Sequence, residues 1–195
     1  AVVYDRNGAN YCGRLWWMLK WLGHDAVAVL DGGLQAWQAA GGAVASSADS
    51  VAPSVTATPF QLHAPLRQLV HTDSVQAQLG RPSQTLIDAR AAARYRGEVE
   101  PLDPIAGHIP GALNRPFAEN LNKDGFFKSP EQLRAEFDHL LAGRDPATVV
   151  HHCGSGVSAV PNLLAMEIAG LGQTGLYAGS WSEWCTTPGL PVAKG

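Results

Sequence analysis

The chain has 195 residues, of which 46% are hydrophobic and 16% are charged, and its formal net charge is -3. This balance is typical of a globular protein with a buried core, and no basic patch indicates nucleic acid as a partner. No apolar run approaches the length of a membrane span, so no membrane partner is expected. The three cysteines lack Cys-x-x-Cys spacing, which argues against a disulfide framework and a zinc site and favours a cytoplasmic setting.

The first predicted unit covers residues 1–44 and contains a strand followed by a helix. The strand is predicted at residues 2–4, and the helix carries Leu15, Trp16, Leu19 and Leu22 on its apolar face. Alone, these elements would leave a sheet edge and an apolar surface uncovered. We therefore expect a preceding segment of about 80 residues that was cleaved off, is carried by another chain or is absent from the structure.

Residues 45–59 are rich in Ser, Ala, Val, Thr and Pro, a composition typical of an extended linker. A second unit follows over residues 60–195. It has a predicted strand at residues 85–88 and a helix that starts after the capping residue Ser129, with proline at its first position. Strands that alternate with helices predict an α/β fold in which a parallel sheet is covered on both faces.

Cys153 lies between a predicted strand at residues 147–150 and a predicted helix whose apolar positions extend to Leu171. Gly154 and Gly156 give the intervening loop conformations that are closed to other residues. Its backbone N–H groups can then surround the sulfur, and the positive end of the following helix points at the same place. Such a loop favours a thiolate or a bound anion, whereas an isolated cysteine is more often an inert core residue.

Two reaction classes use a cysteine in this setting. A cysteine phosphatase needs an arginine six residues after the nucleophile to hold a phosphate dianion, but that position is Ala159. No arginine or lysine occurs between Cys153 and Lys194. A neutral loop suits a persulfide, whose charge the backbone N–H groups can share, so sulfur transfer fits better than phosphate ester chemistry.

The chain also contains an internal repeat. Positions of the first unit match positions before and after Cys153 at one constant offset, and Asp5 stands where the second copy has Cys153. A carboxylate cannot accept sulfane sulfur, so we expect one catalytic centre and a non-catalytic first unit. The matched pairs are Val2 with Val150, Gly8 with Gly156, Leu15 with Leu163 and Met18 with Met166.

Several segments resemble the rhodanese superfamily. The loop Cys-Gly-Ser-Gly-Val-Ser at residues 153–158 is similar to that of 3-mercaptopyruvate sulfurtransferases, which are tandem-domain members of the superfamily. Residues 86–90, 94–97, 107–112 and 179–184 match further signatures. The resemblance implies a rhodanese-like parallel sheet, with one complete domain and the C-terminal half of a second. It covers nearly the whole chain.

The same resemblance implies a reaction. Sulfane sulfur would pass from 3-mercaptopyruvate, through a Cys153 persulfide, to a thiol, a thioredoxin-like protein or cyanide, without a cofactor or a metal. Arg94 falls on the arginine that binds the anionic substrate. Ser155 would assist proton transfer together with a histidine and an aspartate of the preceding segment. The remaining substrate-binding positions are the loop residues Gly154, Gly156, Val157 and Ser158.

Alternatives stay open for both substrate and function. Thiosulfate is the second candidate donor, and a sulfur carrier or interaction module charged by a partner protein is the second class of function. The family's second arginine, before the Gly-His-Ile-Pro segment, is missing here, and either Arg96 or Arg115 could replace it.

Other residues of the signatures have structural interpretations. Asp88 and Arg90 are expected to form a structural ion pair. Trp181 and Trp184 are expected in the core behind the loop. His151 and His152 are neighbours in a strand and point to opposite faces, so we reject a metal site there.

Overall fold

The computed structural model describes residues 1–45 and 59–195. The predicted linker therefore lies outside the described residues, apart from its two end positions. The described chain is an α/β protein with a five-stranded parallel sheet and a separate parallel pair of strands. Among the described residues, no helix is long and apolar enough to cross a membrane.

The large sheet places one strand at its centre. Its strands are β3 (Gln68–Val70), β4 (Thr85–Asp88), β5 (Leu113–Asn114), β6 (Val149–His152) and β7 (Gly175–Tyr177). Their spatial order is β3-β7-β6-β4-β5, so β6 lies between β4 and β7. Because all pairs are parallel, the carboxyl ends of β4 and β6 meet at the same edge of the sheet. Ligands bind at this edge in open parallel sheets.

Helices cover both faces of this sheet. They are α3 (Thr72–Ala77), α4 (Ala92–Tyr95), α5 (Pro130–Leu141), α6 (Val160–Ile168) and α7 (Ser180–Thr186). Helix α5 starts as predicted, because Ser129 and Gln132 form a capping box and Pro130 occupies the first helical position. Leu133, Phe137 and Leu141 form the buried side of this helix.

The first 45 residues form β1 (Val2–Val3), α1 (Cys12–Trp21), β2 (Ala28–Val29) and α2 (Gly33–Ala39). The strands pair in parallel, with Val2 opposite Ala28. This order of elements is the same as that of β6, α6, β7 and α7, and it occurs at matching positions. The repeat in the sequence is thus also a repeat in structure.

Helix α1 packs on α6, so part of its apolar face is covered. Trp16 and Trp17 are buried in a cluster that also contains Val160, Leu163 and Cys153. Other apolar residues of the first unit are uncovered, as predicted. Val2, Tyr4 and Leu15 are 66%, 55% and 49% exposed. The first unit therefore contributes to the core next to Cys153.

The strand before Cys153 starts two residues later than predicted. Residues Pro146–Thr148 form a 3₁₀ turn, and the side chain of Asp145 accepts a hydrogen bond from the Ala147 amide at its start. The strand instead includes His151 and His152, both of which are completely buried. Pro146 favours this turn because its ring fixes φ, although the β-branched residues nearby had indicated a strand.

Candidate active site

Cys153 follows the central strand β6 directly and lines a pocket of about 310 Å³. Its N–H donates to Oγ of Ser180 at 3.1 Å, and its carbonyl oxygen accepts from the Trp181 amide at 2.9 Å. Ser180 is fully buried and has a φ of 57°, so the start of α7 holds this backbone in place. The predicted Trp181 and Trp184 are fully buried behind the loop.

Of the two glycines in the loop after Cys153, Gly156 has the conformation that favours glycine, whereas Gly154 has no positive φ. Gly156 has a φ of +73°, and a Cβ there would lie 2.4 Å from the Ala178 carbonyl oxygen. In the part of the chain that the structure describes, the five N–H groups of residues 155–159 donate to no protein acceptor. Five free donors in succession, next to a cysteine and ahead of a helix, form a nest for an anion.

In the first copy, a side chain occupies the equivalent loop, which differs from the Cys153 loop in that Ala9 has a positive φ and Val157 does not. The carboxylate of Asp5, at the position equivalent to Cys153, accepts from the amides of Asn7, Ala9, Tyr11 and Cys12 at 2.8–3.2 Å. Burial would raise the pKa of Asp5, but these backbone hydrogen bonds outweigh it and lower the pKa. The loop of the first copy therefore stabilises a negative charge on the side chain of Asp5, shortly after strand β1.

The structure brings most of the predicted site residues together. The pocket is lined by Arg94 and by the loop residues Cys153, Gly154, Ser155, Val157 and Ser158. Gly156 is buried beneath the loop and does not line the pocket. Ser155 is exposed, and its hydroxyl has no hydrogen-bond partner among the described residues.

Arg94 lies against the cysteine loop, but carboxylates already contact it. A Cβ on Gly154 would lie 3.6 Å from its Nη1. Its Nη2 donates to Glu100 at 2.6 Å and to Asp103 at 3.2 Å. Burial would raise the pKa of Glu100, but hydrogen bonds from Arg94 and from two backbone amides lower it overall. The nearby Glu98 pairs with Arg96 and not with Arg94.

Arg90 supports this region from the end of β4. It binds both oxygens of the fully buried Asp88, and its Nη1 lies 3.2 Å from Glu100. Its guanidinium also stacks over Trp181, 4.8 Å from the ring centroid. The expected structural ion pair between Asp88 and Arg90 is confirmed.

The two replacement arginines lie outside the pocket. Arg96 is paired with Glu98 on the surface. Arg115 is buried and bonds Asn120 and Glu136, with its guanidinium over the Phe137 ring. In this structure, neither arginine lies among the residues that line the Cys153 pocket.

The first unit contributes site residues that sequence reasoning missed. Asn10 and Tyr11 line the Cys153 pocket, and Arg14 donates to the Gly156 carbonyl at 3.4 Å. Burial lowers the pKa of Arg14, while a charge on Cys153 acts in the opposite direction. The repeat alignment was the available signal, because it places all three residues in the loop and helix equivalent to those that follow Cys153.

His151 and His152 lie on opposite faces of β6, as expected. Nε2 of His151 contacts the Met166 sulfur at 3.2 Å, whereas the His152 ring lies 6.5 Å from that of Tyr177. Within residues 1–45 and 59–195, no group of three or more potential metal ligands occurs.

Comparison with known proteins agrees with this geometry. The family described as rhodanese-like domain matches residues 1–40 and 71–187. A probable 3-mercaptopyruvate sulfurtransferase of Pseudomonas aeruginosa is 50% identical over 100% of this chain and 68% of its own length. A putative thiosulfate sulfurtransferase of Mycobacterium tuberculosis, SseB, is 40% identical over 100% of this chain and 67% of its own length.

Solved structures share the fold. The crystal structure of YnjE superposes with a TM-score of 0.86 at 24% identity, and the wild-type structure of EanB with 0.84 at 22%. All of this chain is covered in both, against 48% and 50% of those chains. The present chain thus spans about two thirds of the first curated relatives and about half of these structures. By its sequence and its fold, it belongs to the rhodanese family of sulfurtransferases.

Proposed function

We propose that this chain transfers sulfane sulfur from 3-mercaptopyruvate to a thiol or cyanide through a persulfide on Cys153. The observation that carries the proposal is the run of amides at residues 155–159 that donate to no acceptor within the described chain, together with the equivalent loop around Asp5. In a persulfide, the negative charge lies on a sulfur atom attached to Sγ of Cys153. In Asp5, the negative charge likewise lies on atoms at the end of the side chain. Preorganised backbone donors stabilise such a charge without further rearrangement.

In the first half-reaction, the Cys153 thiolate attacks the donor sulfur. The new S–S bond forms as the donor C–S bond breaks, and the electron pair leaves with carbon, which takes a proton to give pyruvate. In the second, an acceptor thiolate or cyanide attacks the outer sulfur. The Cys153 thiolate then leaves and is ready for the next cycle.

The pocket residues have distinct roles in this proposal. Arg94 binds the donor carboxylate, for which a planar guanidinium is suited. The hydroxyl of Ser155 is exposed at the mouth and assists proton transfer to the carbon fragment. Val157 and Ser158 shape the wall, and Gly156 permits the turn.

The preference for 3-mercaptopyruvate over thiosulfate has two supports. The relative named for 3-mercaptopyruvate is 50% identical, against 40% for the one named for thiosulfate. The loop itself lacks a cation, since residues 154–159 include neither lysine nor arginine. A compact dianion gains more from cationic neighbours than a carboxylate does.

We also propose that residues 1–44 act as a non-catalytic unit. In this unit, Asp5 stands at the position equivalent to the nucleophile. Asn10 and Tyr11 line the Cys153 pocket, and Arg14 contacts its loop. The role of the first unit is then to form one wall of the pocket and to brace the cysteine loop.

The proposal is tested by intact mass spectrometry after brief incubation with 3-mercaptopyruvate or thiosulfate in separate tubes. One added sulfur on Cys153 is expected, faster from 3-mercaptopyruvate, and it should disappear in Cys153→Ser but remain in Cys185→Ser. Faster loading by thiosulfate would move the assignment to the second donor. No loading from either would contradict the proposed reaction and favour a carrier charged by a protein partner.

A further inference from the structure

Asp103 is a carboxylate in the place where an anionic donor is expected to bind. It lines the pocket together with Cys153, and its side chain is only 8% exposed. Its Oδ2 lies 3.2 Å from Nη2 of Arg94, the same atom that donates to Glu100. Two protein carboxylates therefore bind Nε and Nη2 of Arg94, whereas Nη1, the nitrogen nearest Gly154, donates to no acceptor among the described residues.

These two carboxylates are held very differently. Glu100 accepts from Arg90, from Arg94 and from the amides of Leu102 and Asp103, so it is part of the framework. The Asp103 carboxylate accepts a hydrogen bond from Arg94 alone among the described residues. Its negative charge is therefore compensated by fewer donors than that of Glu100.

The cluster also has an excess of negative charge. Its ion pairs join two arginines, Arg90 and Arg94, to the three carboxylates of Asp88, Glu100 and Asp103 in the described chain. All five side chains are at most 17% exposed. Solvent therefore screens them weakly, and an anion that enters beside Arg94 experiences Asp103 as a repelling charge.

We propose that Asp103 determines donor specificity by keeping an additional negative charge beside Arg94, where the donor binds. The inference rests on the proposed function of Arg94 as the anchor, with its Nη1 available to the donor carboxylate. A monocarboxylate adds one negative charge to a cluster that already has an excess, and a dianion such as thiosulfate adds two. The dianion is therefore disfavoured by repulsion rather than by a missing contact.

The first test compares alkylation of Cys153 by anionic iodoacetate and by neutral iodoacetamide, and it needs no sulfur donor. Asp103→Asn should raise the ratio of the iodoacetate rate constant to the iodoacetamide rate constant about three- to tenfold, because one buried negative charge beside the pocket is removed. Asp103→Glu keeps the charge and should leave the ratio near that of the original protein. Glu98→Gln removes a carboxylate from the same loop, outside the pocket, and is the matched control.

The second test starts with the unaltered protein, where the result does not depend on the fold of a variant, and is then repeated with Asp103→Asn. Pyruvate should protect Cys153 from iodoacetamide at lower concentrations than sulfate does. In Asp103→Asn the two ligands should become similar, and the kcat/KM preference for 3-mercaptopyruvate over thiosulfate should narrow about threefold or more.

An unchanged iodoacetate ratio in a folded Asp103→Asn, or equal protection by sulfate in the unaltered protein, would overturn the inference. Failure of the proposed function looks different, because Cys153 would then load no sulfur from any donor while the alkylation ratios still responded to Asp103.

Discussion

The guanidinium of Arg14 donates to the carbonyl oxygen of Gly156, with 3.4 Å between the two atoms, and so joins helix α1 to the cysteine loop. It also lies over the Trp17 ring, 5.0 Å from the centroid, which fixes its direction. The Cys153 loop contains no cation of its own, and α1 supplies one from a distant part of the sequence.

Arg14→Gln should slow alkylation of Cys153 by anionic iodoacetate about three- to tenfold, because a positive charge beside the loop is removed. The effect on neutral iodoacetamide should be smaller. Arg14→Lys should recover part of the rate. Arg6→Gln, a change at an exposed arginine of the same unit, is the control. An equal loss of rate with both reagents would indicate a purely structural role for Arg14.

Gly156→Ala should abolish sulfur loading and destabilise the fold by about 3 kcal/mol or more, because its Cβ would meet the Ala178 backbone. Gly80→Ala is a matched control, since Gly80 has the same φ of +73° with nothing within 4 Å. It should cost about 1 kcal/mol for the backbone conformation alone. Urea unfolding of both variants measures the contrast, and similar losses would refute the steric explanation.

As the pH is lowered, the protein should begin to lose stability at a higher pH than protonation of its carboxylates alone would cause. Burial, aided by the charges of His152 and Arg115, lowers the pKa of His151 from 6.5 to about 3. Between these values the unfolded chain binds a proton that the folded protein excludes. Stability therefore falls as the pH drops from about 6.5, by about 1.4 kcal/mol per pH unit for this one group.

Urea unfolding of His151→Gln between pH 7 and 4.5 tests this slope. The variant should be less stable at pH 7 but should lose stability less steeply with acid. His63→Gln, at an exposed position, should keep the original slope. Equal slopes in all three proteins would show that His151 is not the responsible group.

Of the three cysteines, Cys153 should react first with iodoacetamide at pH 8. Burial, together with the charge and hydrogen bond of Asp5, raises the pKa of Cys12 to about 12. Roughly one Cys12 in ten thousand is then a thiolate at this pH. Burial also raises the pKa of Cys185. Peptide mapping after partial labelling gives the order, and modification of Cys12 before Cys153 would contradict it.

The sequence predicted correctly those strand bounds and helix starts that are determined by neighbouring residues in the chain. The strand at Thr85–Asp88 has the predicted bounds, and the Ser129 capping box starts α5 as expected. Prediction failed by two residues before Cys153, because Asp145 and Pro146 set a 3₁₀ turn. The strand then continues through His151 and His152, residues whose burial depends on the surrounding sheet and helices.

Arg94 was predicted to belong to the site, and it does line the pocket. Its contacts with Glu100 and Asp103 were not predicted, because they require the segment after α4 to fold back over the arginine. The contribution of Arg14 was missed for a similar reason. A contact between helices that are distant in the sequence is decided by the packing of α1 on α6, which no local pattern encodes.

The carboxylate of Asp5 suggests a variant with a practical use. In the first copy, backbone amides bind a carboxylate of the chain itself, so an external anion is not needed to satisfy them. Cys153→Asp would place a carboxylate at the equivalent position of the second copy. Under the proposed function, this variant carries the charge of the persulfide but no transferable sulfur, which suits the isolation of acceptor proteins.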